Sequence, residues 1–328
     1  MKAWVVRELG GPESMRFEDV EPGEATDGMV RIAVGAAAIN FLDALMIAGT
    51  YQVKPALPFV PGVEISGEVV SAPGSSGFKS GDRVMALLDS GGLIHGGYAE
   101  ITEAAPASVF RMPANMPVDE GAGFSLTYQT GWFALHRRAH IQPSETLLVH
   151  AGAGGVGSAA IQLGKAAGAM VIATAGTDEK VEVCRRLGAD HAVNYKTQDV
   201  AEEVKKLTGG RGADVIIDPV GGDVYDRSTK CIGFEGRIVV VGFTSGRIPQ
   251  AATNHVLVKN YSVVGLHLGL YKTRAPELIS AAALALLELY QAGKIKPHIS
   301  ARFPLAKAPE ALAMVAGGQT TGKVVLTT

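Results

Sequence analysis

Cysteine is scarce in this chain, with only Cys184 and Cys231 among 328 residues. Two isolated thiols argue against a disulfide framework and suit a reducing compartment. Charge is thin as well. Charged residues make up 19%, the formal net charge is −2, and Lys and Arg form no run, so neither an overall field nor a basic patch is present to hold nucleic acid. Long apolar runs are also missing. The longest, residues 278–289, has about a dozen residues where a bilayer-spanning helix needs roughly 20, and it reads as a buried helix stopped by Gly293. The opening MKAWVVREL reads as a strand interrupted by charge, without the apolar core and small-residue cleavage site of a signal peptide. The expected location is the cytoplasm, with no membrane partner. The composition that remains is 47% hydrophobic, that of a packed globular chain long enough for two domains.

Two textures follow one another along the chain. Residues 1 to about 110 carry short alternating or apolar segments (4–7, 29–38, 66–71, 82–86, 98–102) between Gly, Pro and Asp clusters, the pattern of a twisted antiparallel barrel or sheet. One short helix, 40–48, interrupts it. Beyond Pro117 a helix over 121–138 leads into strands at 146–150, 169–174, 191–194, 215–218, 237–242 and 261–264. Helices at 158–167, 178–187, 200–207 and 222–231 separate them. Apolar strands alternating with helices predict a doubly wound parallel sheet covered on both faces, with ligands at the carboxyl ends of its strands. The tail from 275 holds another helix, a strand at 299–305, a short helix and a last strand at 323–327. It is expected to fold back onto the first domain and leave a cleft between the two. The expected division is 1–120 with 265–328 against 121–264.

The first strand of the alternating half runs straight into Gly152, Gly154 and Gly157, in TLLVHAGAGGVG. This is G-x-G-x-x-G with a strand before it and a helix after it. Gly152 permits the tight turn and Gly154 lets backbone approach a pyrophosphate. Gly157 lets the helix pack on its strand, and the phosphates face the helix N-terminus. The next strand ends Thr174, Ala175, Gly176, Thr177, without the acid that bonds the ribose hydroxyls in NAD-binding folds. Thr177, Lys180 and Tyr195 together form a candidate 2′-phosphate site and argue for NADPH. Singly, Lys180 also reads as a solvated helix lysine and Tyr195 as a rim aromatic.

Further motifs run in one order along almost the whole length: AAINFLD at 37–43, LPFVPGVEISGEV at 57–69, GDRV at 81–84, GGYAE at 96–100, NYK at 194–196, GRIVVVGFTSG at 236–246, KNYSVVGL at 259–266 and TTGKVVL at 320–326. With these, the chain resembles the medium-chain dehydrogenase/reductase superfamily, and within it the zinc-free quinone oxidoreductase (zeta-crystallin-like) branch. The resemblance implies a mainly β, GroES-like catalytic domain beside the Rossmann domain, and a homodimer formed through the sixth parallel strand. Alcohol dehydrogenase relatives hold zinc with a Cys and a His where this chain has Asn40 and Val63. Two cysteines and no clustered histidines cannot build a closed zinc site, so no metal is expected. Without a Lewis acid, reduction of an electron-poor quinone or enone is the natural chemistry.

The resemblance also assigns roles. Asn40 lies beside the nicotinamide, and Tyr51 stands at the pocket mouth as a hydrogen-bond or proton donor. Thr127 lies near the nicotinamide ribose or carboxamide, and the backbone around Gly152, Ala153, Gly154, Gly155 and Val156 holds the pyrophosphate. Phe243, Thr244, Ser245 and Leu266 line the nicotinamide end, with Lys323 as a further cofactor candidate. Structural alternatives stand beside these: Asn40 as the cap of the helix that follows, Tyr51 as a packing aromatic, Thr127 as helix filler, and Asp43, Glu64 and His267 as structural polar groups. Two positions depart from the branch, Leu45 for a Tyr found in some relatives and Gly317–Gln319 where many carry an Arg. An enoyl-thioester reductase, with Lys54, Lys272 and Arg274 near its entrance, and a non-catalytic NADPH-binding protein are the competing readings.

Overall fold

The computed structural model describes residues 1–89 and 91–328. In chain order the elements of the first half are β1 (Lys2–Val6), β2 (Met15–Asp19), β3 (Val30–Ile39), α1 (Phe41–Ile47), β4 (Glu64–Ser71), β5 (Arg83–Leu87), β6 (Ile101–Ala104), β7 (Val109–Arg111) and α2 (Val118–Ala122). Then come α3 (Ser125–Trp132), β8 (Thr146–Val149), α4 (Gly155–Ala166), β9 (Met170–Ala175), α5 (Asp178–Arg186), β10 (His191–Asn194), α6 (Val200–Leu207), β11 (Ala213–Asp218), α7 (Gly222–Cys231) and β12 (Ile232–Val240). The remainder is α8 (Thr253–Lys259), β13 (Ser262–Gly265), α9 (Leu268–Arg274), α10 (Pro276–Gln291), β14 (Ile299–Pro304), α11 (Ala308–Ala316) and β15 (Lys323–Thr327). They form two compact units, Met1–Leu126 with Pro297–Thr328, and Thr127–Lys296.

The first unit is the mainly β, GroES-like one. Its larger sheet has the order β14-β15-β3-β4-β5-β7, with β6 also on β3 and a separate β1-β2 pair. β3 is its centre. The segment begins with strict in-out alternation and ends buried on both faces, as a strand does when neighbours cover it on each side. β15 pairs antiparallel with β3, Val324 opposite Ile39, so the last strand of the chain closes beside the residue that precedes Asn40.

The second unit is a Rossmann fold. Six strands lie parallel in the order β10-β9-β8-β11-β12-β13, with the order reversing between β8 and β11, the switch point at which such sheets take ligands. All six expected strands are present. The single helix expected over 121–138 is instead α2, α3 and a π-helical stretch, Phe133–Arg138. Residues 265–296, grouped from sequence with the first domain, belong to the second unit. The cause is packing. Gln162 of α4 clamps the end of this segment, accepting from the Lys296 N–H (2.6 Å) and donating to its carbonyl (2.9 Å), and Tyr271 packs on Phe133 with ring centroids 4.3 Å apart. Among the described residues no helix is long and apolar enough to cross a membrane.

Candidate functional site

The glycine turn joins β8 to α4 as the pattern predicts. Ala151 takes a positive φ of 49°, the Gly152 N–H donates to Thr174 O (2.8 Å), and the Gly154 N–H returns to Ala151 O (2.9 Å). A Cβ on Gly157 would lie 2.2 Å from Ala151 O and 2.7 Å from Gly152 Cα, so the first turn of α4 lies directly on its own loop. A Cβ on Gly154 would meet only Ala151 O, at 3.2 Å. That glycine keeps open the space in front of the helix N-terminus, where the first N–H groups have no intrahelical acceptor and the dipole is positive. The arrangement is an anion cradle built from backbone, and it fits a pyrophosphate.

His150, at the end of β8, supports the turn from below. The Ser228 hydroxyl donates to Val224 O (2.8 Å), so Ser228 Oγ accepts from His150 Nε2–H (2.8 Å) and His150 Nδ1 accepts from Thr174 Oγ1 (3.1 Å). Burial pushes its pKa down to about 4, and the ring is a neutral strut. Asp218, at the end of β11, accepts from the Val220 and Gly221 N–H groups (2.8 and 2.9 Å). The next loop is tied to this one, Thr244 and Ser245 N–H donating to Pro219 O (3.1 Å) and Val220 O (3.0 Å). Nothing local in the sequence marks His150 or Asp218 for these parts.

Tyr195 follows β10, its N–H bonded to Ala175 O (3.1 Å). Its hydroxyl stands over Gly176, where an added Cβ would be 2.5 Å away. A side chain at this position, where an acid would otherwise be sought, would have to push the Tyr195 ring aside. Thr177 caps α5, its Oγ1 accepting from the Lys180 N–H (3.2 Å). Asp178 begins the same helix, but its carboxylate is held by Asn194 Nδ2 (2.7 Å). Gly152, Ala153, Gly154, Gly155 and Val156, then Thr177, Lys180 and Tyr195, then Phe243, Thr244, Ser245 and Leu266 all follow carboxyl ends of strands in one sheet. Thr127, buried in α3, comes from the helix before that sheet and not from this row.

In the first unit a second constellation is entirely buried. Asn40 ends the β3 turn into α1 and is 6% exposed. Its Oδ1 accepts from Lys323 Nζ (2.5 Å), and its Nδ2 donates to Glu64 Oε2 (3.2 Å) and, at 3.5 Å, to Ala38 O. Lys323 also donates to Glu64 Oε2 (3.0 Å) and Ile39 O (3.5 Å), and Glu64 Oε1 takes the Leu126 N–H at the start of α3 (2.7 Å). The resemblance offered Lys323 as a cofactor ligand. In the structure its ammonium bonds Asn40, Glu64 and backbone because β15 lies beside β3. Asp43 Oδ2 accepts from the Asn40 N–H (2.8 Å) and the Tyr98 hydroxyl (2.9 Å), and its Oδ1 has no partner among the described residues. Burial, outweighing those bonds, pushes the Asp43 pKa up to about 7. Tyr51 is half-buried, and burial with the Asp43 charge raises its phenol pKa further. It keeps its proton at neutral pH and can donate a hydrogen bond. Both thiols are buried, with pKa values pushed up to about 12, and are inert.

Two family models match, that of the alcohol dehydrogenase GroES-like domain over residues 26–114 and that of the zinc-binding dehydrogenase over 155–284. The quinone oxidoreductase-like protein 2 homolog of Nematostella vectensis is 41% identical over 330 residues, covering all of this chain and 89% of that protein. This chain belongs to the quinone oxidoreductase family of the medium-chain dehydrogenase/reductases. The family is one of oxidoreductases, and the match to that relative runs the whole length of this chain. The crystal structure of Escherichia coli quinone oxidoreductase complexed with NADPH matches with a TM-score of 0.91 at 29% identity, covering both chains completely. The 2-haloacrylate reductase of a Burkholderia species is 32% identical over 99% of this chain and 98% of its own. Among the described residues no three His, Cys, Asp or Glu side chains converge as a metal-binding group.

Proposed function

We propose that this quinone oxidoreductase family member is an NADPH-dependent, zinc-independent reductase of quinones and conjugated carbonyls. The observation that carries the reading is the donor set around Asn40. Where alcohol dehydrogenases carry a Cys and a His, this chain has Asn40 and Val63. The one oxygen Asn40 has to offer is already bonded to the Lys323 ammonium, so a metal would have to displace a buried cation. An acceptor that is electron-poor by itself needs no such metal.

Bound NADPH supplies the hydride equivalent. The backbone from Gly152 to Val156 holds the pyrophosphate, and Thr177, Lys180 and Tyr195 hold the 2′-phosphate. Phe243, Thr244, Ser245, Leu266 and Thr127 serve the nicotinamide half. Asn40 and Tyr51 donate hydrogen bonds to ligand carbonyl groups. A homodimer is part of the proposal. Among the described residues β13 pairs only with β12, and Val263 on it, with Leu257 and Val258 of α8, is exposed, a sheet edge of the kind that pairs with another copy. A reducing cytoplasmic setting suits the two unpaired thiols.

Steady-state turnover of 1,4-naphthoquinone and crotonyl-CoA with NADPH and NADH tests the reading. Quinone turnover with NADPH preferred, undiminished by chelators, is the expected result. In fluorescence titrations Lys180→Ala should weaken NADPH about ten- to a hundredfold and leave NADH unmoved. Faster turnover of crotonyl-CoA makes the chain a thioester reductase instead, and NADPH binding without turnover of any acceptor makes it a binding protein.

A further inference from the structure

Asn40, Glu64 and Lys323 come from three strands or strand ends of one unit, 24 and 283 residues apart in the pairs that bond, and all are at least nine-tenths buried. An asparagine amide has one end that accepts and one that donates, and space alone does not choose between its two orientations. Here the neighbours choose. An ammonium can only donate and a carboxylate only accept, so Oδ1 must face Lys323 and Nδ2 must face Glu64. Ion pairs of this kind are costly to bury and are kept where they set one arrangement over another. From this geometry we infer that Glu64 and Lys323 are positioning residues that lock the Asn40 amide with its oxygen withdrawn, so that Asn40 presents only its NH₂ to a ligand. The longer of that group's bonds, to Ala38 O (3.5 Å), is the one a ligand carbonyl replaces. Their action on turnover rests on the reading above, in which Asn40 serves a ligand carbonyl; the locked orientation does not.

Lys323→Met alone strands the Glu64 charge and is expected to destabilise the fold. The double variant Glu64→Gln/Lys323→Met removes both charges together. The glutamine side chain it introduces must turn its oxygen to the Leu126 N–H, which presents its NH₂ to Asn40 and reverses the amide. In ¹⁵N-labelled protein without ligand, the Asn40 side-chain NH₂ pair, assigned by its loss in Asn40→Ala, should shift strongly in the double variant while backbone resonances away from the site stay in place. With NADPH and quinone, kcat should fall about tenfold in Asn40→Ala and equally in the double variant. The triple variant should fall no further, because the pair acts only through Asn40. An unmoved Asn40 signal, or losses that multiply in the triple variant, would overturn the inference. A wild-type chain that turns over no acceptor counts against the proposed function alone, since the resonance still reports the lock.

Discussion

At the scale of single residues, Asp43 is the most perturbed group with a consequence that can be measured. It is completely buried, with both of its donors on one oxygen, and its pKa in the folded protein is about 7 against an ordinary 3.8. The unfolded chain releases this proton near pH 4 and the folded one near pH 7. Between those values the folded state binds more protons, so this group lowers stability as pH rises through the window and adds no further loss above it. His150 acts in the opposite sense. Its folded pKa, about 4, lies below that of free histidine, so it takes stability away as pH falls below about 6.5. Comparing Asp43→Asn with the parent isolates the first term. The parent should lose a few kcal/mol relative to the variant between pH 4 and 7, seen as melting curves that converge at low pH and separate toward neutrality. Parallel curves would mean that Asp43 stays ionised throughout.

At the scale of elements, the strand-turn-helix from β8 to α4 separates folding from binding within one motif. Gly157→Ala sets a methyl against backbone that cannot yield, 2.2 Å from Ala151 O, and should cost about 1–3 kcal/mol, read as a lower melting temperature without any ligand. Gly154→Ala meets a single contact at 3.2 Å. It should leave the melting temperature of the free protein nearly unchanged and weaken NADPH in a fluorescence titration, because the methyl enters the space of the phosphate. This turn was readable from sequence because everything in it is local: an apolar strand, three spaced glycines and a helical run. α8 and α9 were not read, since seven residues show too little of a period to stand out. The segment 121–138 looks like one long helix for the opposite reason. Its apolar residues continue through Gly123 and Phe124, but α2 stops at Gly123, whose N–H returns to Asp119 O (3.2 Å) as the cap of that helix.

At the scale of the whole molecule, the exposed edge at β13 carries the assembly prediction. Leu257→Lys with Val263→Lys should convert a dimer in sedimentation velocity to a monomer while thermal unfolding remains cooperative, because Leu257 and Val263 are at the surface and outside the core. A parent chain that sediments as a monomer would remove the dimer from the proposed function. By itself the sequence determined the two fold classes, the parallel strands and the glycine cradle, because these follow from periodicity and backbone freedom within about 20 residues. It also put Tyr195 just after the third parallel strand, in reach of the end of the second, through the spacing of one βαβ unit. Only the tertiary structure decided what Lys323 does. Its partner Asn40 lies 283 residues away in sequence, and nothing local marks a lysine whose strand will lie beside β3. Long-range strand pairing brought that ammonium to an amide and a carboxylate, and the cost of burying an unpaired charge then dictated their bonds.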